Sequence, residues 1–396
     1  MRIFRGPTRV AAVISKELRE LTRRPGAVLS LVFGPLIIMA IFGLGFSGQR
    51  RPLEAIIVVP AGSEMPRDPG FYTRVARGTA HIAAVTEDVE GARARLDRGE
   101  VVMIVIAPDD ARQRLEHGES ATLHIETNQL DPITDGIARA IADNIAYEMS
   151  AELLASIARE GLDRPEAKII VARGMNPETV ARPVKAVVEN RAPVEPALLT
   201  FFAPAVLALV LQHLGITVTA LSMVRERGSG AIEILRIAPI SSTELLVGKY
   251  IAYAVMALLV AAAVVKITTD LLGVPVVGDP LELAVLVVLL TFASLGTGLI
   301  ISLISDSERQ AVQLAMLVLL VSVFFSGFVL PVSELRMPVR ALAYALPVTY
   351  AIPAFQQEML RGTLPDPSAL GALGAIGVVL FGLSVLRLRR LLRGAR

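Results

Sequence analysis

The polar stretch Met223 to Lys249, with charges of both signs, interrupts two long apolar runs, Pro196 to Ser222 and Leu245 to Val265. A helix needs about 20 apolar residues to cross a hydrocarbon core about 30 Å thick, and each run is long enough. In lipid a spanning segment must satisfy its backbone hydrogen bonds internally, so these runs are predicted to be transmembrane helices. Arg225, Glu226 and Arg227 end the first run, because an ionised side chain at mid-bilayer costs at least ~2.5 kcal/mol. Gly228, Ser229 and Gly230 then allow a sharp turn. From Ala231 to Ile237, the apolar Ile232, Leu235 and Ile237 and the polar Glu233 and Arg236 fit one or two amphipathic turns on the membrane surface, and Pro239 ends them. On these residues alone, a docking element and a solvated loop with a helical pattern both stand.

The rest of the chain supports a membrane reading. Hydrophobic residues make up 53% and the mean hydropathy is +0.59, against about 45 to 50% apolar in a soluble average. The absence of cysteine excludes disulfides, thiol catalysis and cysteine-bound metal. Residues 1–26 hold Arg2, Arg5, Arg9, Lys16, Arg19, Arg23 and Arg24 against Glu17 and Glu20, with Val10, Ile14, Leu18 and Leu21 at helical spacing. They read as a cytoplasmic basic amphipathic helix or as an unstructured basic arm. Residues 27–46 read as an uncleaved first span, too long for a signal-peptide core.

Residues 47–196 carry charges throughout and no run that crosses a bilayer, which predicts a folded extracytoplasmic domain. Strands are expected at Leu53 to Val59, Val101 to Ala107 and Ala121 to Thr127, and helices at Val89 to Asp97 and Asp109 to Glu116. Their alternation argues for an α/β sheet. A long helix is expected over Pro132 to Arg159, with Ile133, Ile137, Ile141, Ile145 and Met149 as its apolar stripe, and Ala186 to Val188 is a candidate returning strand.

Further spans are predicted at 197–223, 245–268, 281–304, 310–330 and 369–387, separated by a cytoplasmic loop at 224–244 and by short outer-leaflet helices over 331–366. Pro331, Pro338, Pro347 and Pro353 punctuate those outer pieces, so none is long enough to span. The tail 388–396 is basic and cytoplasmic. The expected fold is therefore an α-helical polytopic membrane protein with six transmembrane helices and an α/β extracytoplasmic domain inserted between helices 1 and 2. Gln212, His213, Gln310 and Gln313 are candidate pathway residues, with helix-to-helix hydrogen bonding as the alternative.

The stretch from Arg225 to Lys249 resembles the coupling-helix region of ABC-2 type transporter permeases. The resemblance lies in Arg225, Glu226 and Arg227, then Gly230, Ala231, Ile232 and Glu233, then Ala238, Pro239, Ile240 and Ser241, then Gly248 and Lys249. Ala231 and Ala238 stand where the family motif has Thr. A second likeness lies in Ser326, Gly327 and Phe328, Pro331, Leu346 to Tyr350 with Pro347, and Arg361 with Gly362. A looser one, to the branch with a large insertion between the first two spans, lies in the order of Gly91 to Gly99, VVMIVIAPDD and LEHGESATLHIETNQLDP.

The resemblance implies a permease subunit of an ABC exporter in the cell membrane, with both termini cytoplasmic. ATP and Mg would be bound by a partner ABC ATPase subunit, and the permease would pair as a homodimer or as a heterodimer with a homologue. It implies that Arg225, Glu226, Arg227, Gly230, Ile232, Glu233, Leu235 and Pro239 contact the ATPase, and that Ser326, Gly327, Pro331, Pro347 and Tyr350 belong to the exit region.

No phosphate-cradling Gly-x-x-x-x-Gly-Lys-Ser/Thr, His-Glu-x-x-His or nucleophile elbow occurs, and His81, His117, His124 and His213 lack metal-site spacing. No catalytic residue, metal or cofactor of its own and no nucleic-acid partner is expected. The bilayer is the chain's solvent, and hydrophobic or amphipathic cargo, drug or lipid-like, fits apolar spans rich in small residues, which helix packing explains equally. An ATP-independent secondary transporter and a non-transporting envelope scaffold are the alternatives.

Overall fold

The computed structural model describes residues 52–163, 179 and 181–393, apart from 64, 77–79, 118, 231–232, 234–236 and 238–241. The expected basic helix at 1–26 and first span at 27–46 lie outside the described residues. The chain divides into two compact units, Arg50–Phe201 and the remainder.

The first unit is a five-stranded sheet in the order β2-β1-β3-β4-β5. Its elements, in chain order, are β1 (Leu53–Val58), α1 (Pro69–Val75), β2 (Ala80–Thr86), α2 (Val89–Asp97), β3 (Met103–Ile106), α3 (Ala111–Glu116), β4 (Ala121–Thr127), α4 (Pro132–Asp163) and β5 (Val184–Asn190). All pairings are parallel except that of β3 with β4. β1 and β3 are continuous apolar runs because both of their faces are covered. On one face Ala55, Ile57, Met103 and Val105 pack with Ile141, Ile145 and Met149 of α4 and with Tyr72 of α1. On the other, Ile56, Val58 and Ile104 pack with Ala92 and Leu96 of α2. β4 contributes Glu126, 6% exposed, which accepts hydrogen bonds from Arg93 Nη2 at 2.6 Å and Arg191 Nη1 at 3.2 Å.

Two expectations for this unit are corrected. β2 is an edge strand that was not among the expected ones, although AHIAAVT holds three β-branched residues, Ile82, Val85 and Thr86. The four-residue stripe of α4 drifts off its buried face: Ile141, Ile145 and Met149 are buried, whereas Ile133 is 47% exposed. A step of four residues turns about 40° beyond a full circle, so five such positions do not share one face. Ala138, Ala142 and Ala146 complete the buried surface instead.

The second unit contains α5 (Leu198–Gly228), α6 (Ser242–Asp270), α7 (Pro280–Ile304), α8 (Glu308–Phe325), α9 (Met337–Ala343), α10 (Pro347–Arg361) and α11 (Pro367–Arg393). Among the described residues five helices, α5, α6, α7, α8 and α11, are long and apolar enough to cross a membrane. α7 is the central one, with 61% of its apolar window buried against 11% for α6 and 17% for α11. Its small residues explain that position. A Cβ on Gly298 would collide with the carbonyl oxygen of Ile216, so only glycine lets α7 approach the α5 backbone there.

α8 ends at Phe325, before the expected limit of 330, because the chain bends at Ser326 and takes a positive φ of 99° at Gly327. The short pieces that follow α8 are a 3₁₀ turn at Val332–Glu334, α9 and α10. α10, with 15 residues, is only about 22 Å long and too short to span.

Candidate functional site

The described part of the polar stretch joins four helices, α5 with α6, α7 and α8. α5 continues past the membrane-like segment as far as Gly228, and Ser229 and Gly230 turn, Gly230 with a φ of 75°. Arg225 Nε donates to Glu308 Oε2 at 3.0 Å, linking α5 to the first turn of α8. This pair is exposed on both sides, which limits it to about 0.2–1 kcal/mol. Arg227 turns the other way. Its Nη2 donates to the carbonyls of Ser302 and, at 3.1 Å, Ser305, at the end of α7. Those carbonyls have no helical partner and carry the negative end of the helix dipole, so the guanidinium satisfies both needs. Lys249 Nζ of α6 donates to Glu226 Oε1 and, at 2.8 Å, to Ser222 Oγ.

The end of α5 is thus tied to α6, α7 and α8 by three consecutive charged residues. Residues 224–229 and 305–308 border an open cleft of about 850 Å³. Its far wall is a capped turn: Ser307 Oγ accepts from Gln310 N at 3.3 Å while Gln310 Oε1 accepts from Asp306 N at 2.8 Å.

The structure sorts the residues singled out in the sequence. Arg225, Glu226 and Arg227 come together, but the Glu226 carboxylate faces Lys249 within the chain; of the three carboxylates in the stretch, Glu233 and Glu244 are the exposed ones, and Glu233 lies in the segment after the turn. Glu233 N donates to Gly230 O at 3.1 Å. Ile237 is 86% exposed, an apolar side chain without cover among the described residues. Ile232, Leu235 and Pro239 lie outside the described residues.

The candidate pathway residues do not cluster. Gln212, 1% exposed, donates from Nε2 to Ser322 Oγ at 2.8 Å and accepts at Oε1 from Val348 N at 3.0 Å. It joins α5, α8 and the first turn of α10, so helix-to-helix bonding is its observed role. His213 is half-buried, with Nε2 3.5 Å from Thr217 Oγ1. Gln310 is the cap just described, and Gln313 is exposed on α8.

Ser326, Gly327, Pro331, Pro347 and Tyr350 fall in the bends and short helices after α8. Ser326 caps the C-terminus of α8, and Pro331 precedes the 3₁₀ turn. Pro347 opens α10, where its missing N–H costs nothing. Tyr350 Oη donates to Tyr344 O at 3.1 Å. Sequence reasoning missed Lys249 as the partner of Glu226 and the part played by the turn at 305–308. Neither carries a local signal, since each contact is made across the bundle.

Known proteins share this arrangement of sequence. The family model described as ABC-2 family transporter protein matches residues 27–386. The probable multidrug ABC transporter permease YbhS of Escherichia coli (strain K12) is 26% identical over 387 residues, covering 96% of this chain and 97% of its own length. The probable multidrug ABC transporter permease YbhR of the same organism is 22% identical, covering 90% of this chain and 91% of its own. Among solved structures, a domain of a putative ABC type-2 transporter from Thermotoga maritima MSB8 is similar over 35% of this chain and 84% of its own, at 15% identity and a TM-score of 0.24. With the family model spanning residues 27–386, the chain is a multi-pass membrane protein that belongs to the ABC-2 family of transporter proteins.

Proposed function

We propose that the chain is the permease subunit of an ABC exporter in the cytoplasmic membrane. It moves a hydrophobic or amphipathic substrate, drug or lipid-like, out of the cytoplasm, and a separate ATPase subunit supplies the energy by hydrolysing Mg-bound ATP. The names of the multidrug permeases YbhS and YbhR support the substrate class. Residues 27–46 form a sixth span, both termini are cytoplasmic, and the α/β unit lies on the outer side between the first two spans. The membrane unit is a pair, of two copies or of this chain with a homologue.

The observation that carries the proposal is the division of labour around residues 225–237. Arg225, Glu226 and Arg227 are engaged inside the chain, whereas Glu233 and Ile237 face outward. An exposed carboxylate beside an exposed apolar side chain suits a groove on the ATPase with a basic rim and an apolar floor. Movement of that contact passes to α6, α7 and α8 through the three internal ties.

The test is purification of the tagged chain from its native host, with identification of co-eluting proteins and assay of vanadate-sensitive ATP hydrolysis. A stoichiometric ATPase is expected. Glu233→Lys is expected to abolish transport-coupled ATP hydrolysis while membrane insertion stays intact; normal coupling in that variant would sink the proposed contact.

A further inference from the structure

Glu358, in the last turn of α10, is a carboxylic acid 1% exposed. Its Oε1 accepts from Asp279 N at 2.8 Å. Beside it, Val277 N donates to Met359 O at 2.8 Å, so residues 277–279 lie flat on the end of α10. Gly278 makes that approach possible: a Cβ there would collide with both the carbonyl oxygen and the carboxyl group of Glu358. The carboxyl group is therefore enclosed by backbone and cannot swing out to water.

Oε2 of Glu358 finds no donor among the described residues. Because the N–H of Asp279, the residue that caps α7, is bonded to Glu358, the first turn of α7 brings a second carboxyl, that of Glu282, to the side of the Glu358 carboxyl. Two carboxylates repel each other and have no hydrogen to share, whereas a carboxylic acid facing a carboxylate makes a strong hydrogen bond.

The elements packed against α10 bring further charged groups. α7 also brings Asp279, acidic and engaged as the helix N-cap. α11 brings Asp366 just before its start and has its arginines, Arg387, Arg389, Arg390 and Arg393, in its last turns. α8 has its charges, Glu308 and Arg309, in its first turn. On α10 itself, Arg361 is the last residue.

We propose that Glu358 and Glu282 form a proton-binding site, in which Glu358 carries a proton at neutral pH and donates it to a carboxylate oxygen of Glu282. Loss of that proton to water leaves two facing carboxylates and loosens the last turn of α10 from the start of α7. Burial pushes the Glu358 carboxyl above its ordinary value of 4.5, Glu282 and Asp279 add to the rise, and the Asp279 N–H opposes it. A carboxyl raised in the folded state stabilises fully below the unfolded value, and its contribution is lost as pH rises through the folded value. The site does not depend on which substrate the chain moves.

The test uses the full chain in detergent or lipid nanodiscs. Infrared difference spectroscopy on wild type at neutral pH is expected to give the C=O band of a protonated carboxyl, absent in Glu358→Gln and shifted in Glu282→Gln. The thermal midpoint of wild type is expected to fall by a few degrees between about pH 5 and about pH 9. Glu358→Gln keeps a neutral donor and acceptor and is expected to hold its acid-side midpoint with that slope removed. Absence of the band in wild type overturns the proposal, as does a Glu358→Gln variant that retains both band and slope. Should Glu358→Gln fail to fold, an unshifted band in Glu282→Gln overturns it independently.

Discussion

Glu126 shows how much one buried charge depends on its partners. It sits on β4 with a side chain 7% exposed, and two guanidiniums face it. Arg93, through its hydrogen bonds, holds the Glu126 carboxyl below the ordinary value of 4.5, with Arg191 assisting and burial opposing. A depressed carboxyl contributes stability above its unfolded value and loses it as pH falls through the folded one. Wild type is therefore expected to lose stability in the α/β unit as pH drops below about 4.5, measured by denaturant titration, and Glu126→Gln to show a weaker acid dependence. The same variant leaves Arg93 and Arg191 without their counter-charge and is expected to cost about 1–3 kcal/mol at neutral pH. None of this was legible in the sequence, where Glu126 is one acid among 37 acidic residues. Gln212 and Gln310 were visible as polar residues near or inside spans, but their partners could not be read, since Ser322 is 110 positions from Gln212.

At the scale of elements, close packing and shared polar contacts decide the bundle. Gly298→Val forces a side chain into the Ile216 carbonyl. It is expected to lower the thermal midpoint of the detergent-purified chain, at a cost of about 1–3 kcal/mol or more from overpacking, while membrane insertion persists. Gln212→Leu strands the Val348 N–H. A loss of about 1–2 kcal/mol is expected, together with faster hydrogen exchange in the first turn of α10 as the distinguishing signal. Elements of this kind were legible wherever length and periodicity agree: the expected helix over 89–97 is α2, and the apolar runs at 53–59 and 101–107 contain β1 and β3. The edge strand β2 was not legible, because its pairing with β1 arises from backbone geometry rather than from residue type. The interior face of α4 was legible only in its middle, where a four-residue step and the helix repeat have not yet diverged.

For the whole molecule, the division at Arg50–Phe201 predicts autonomy. That unit holds a sheet covered on one face by α1 and α4 and partly on the other by α2. The excised segment 50–201 is expected to be soluble and to unfold in one cooperative transition by circular dichroism; a non-cooperative melt would mean that it borrows stability from the rest. The helical unit shows the opposite economy. α6 turns Ile251, Val255 and Leu259 outward, at 60%, 54% and 68% exposure and four residues apart. Among the described residues those side chains meet no shaped partner, and where lipid is all that touches such a face, a liquid does not ask for a particular shape. Saturation mutagenesis along that face would accept most apolar letters and refuse charged ones. On such a surface a gene can wander freely within one chemical alphabet while the buried spine of α7 stays fixed.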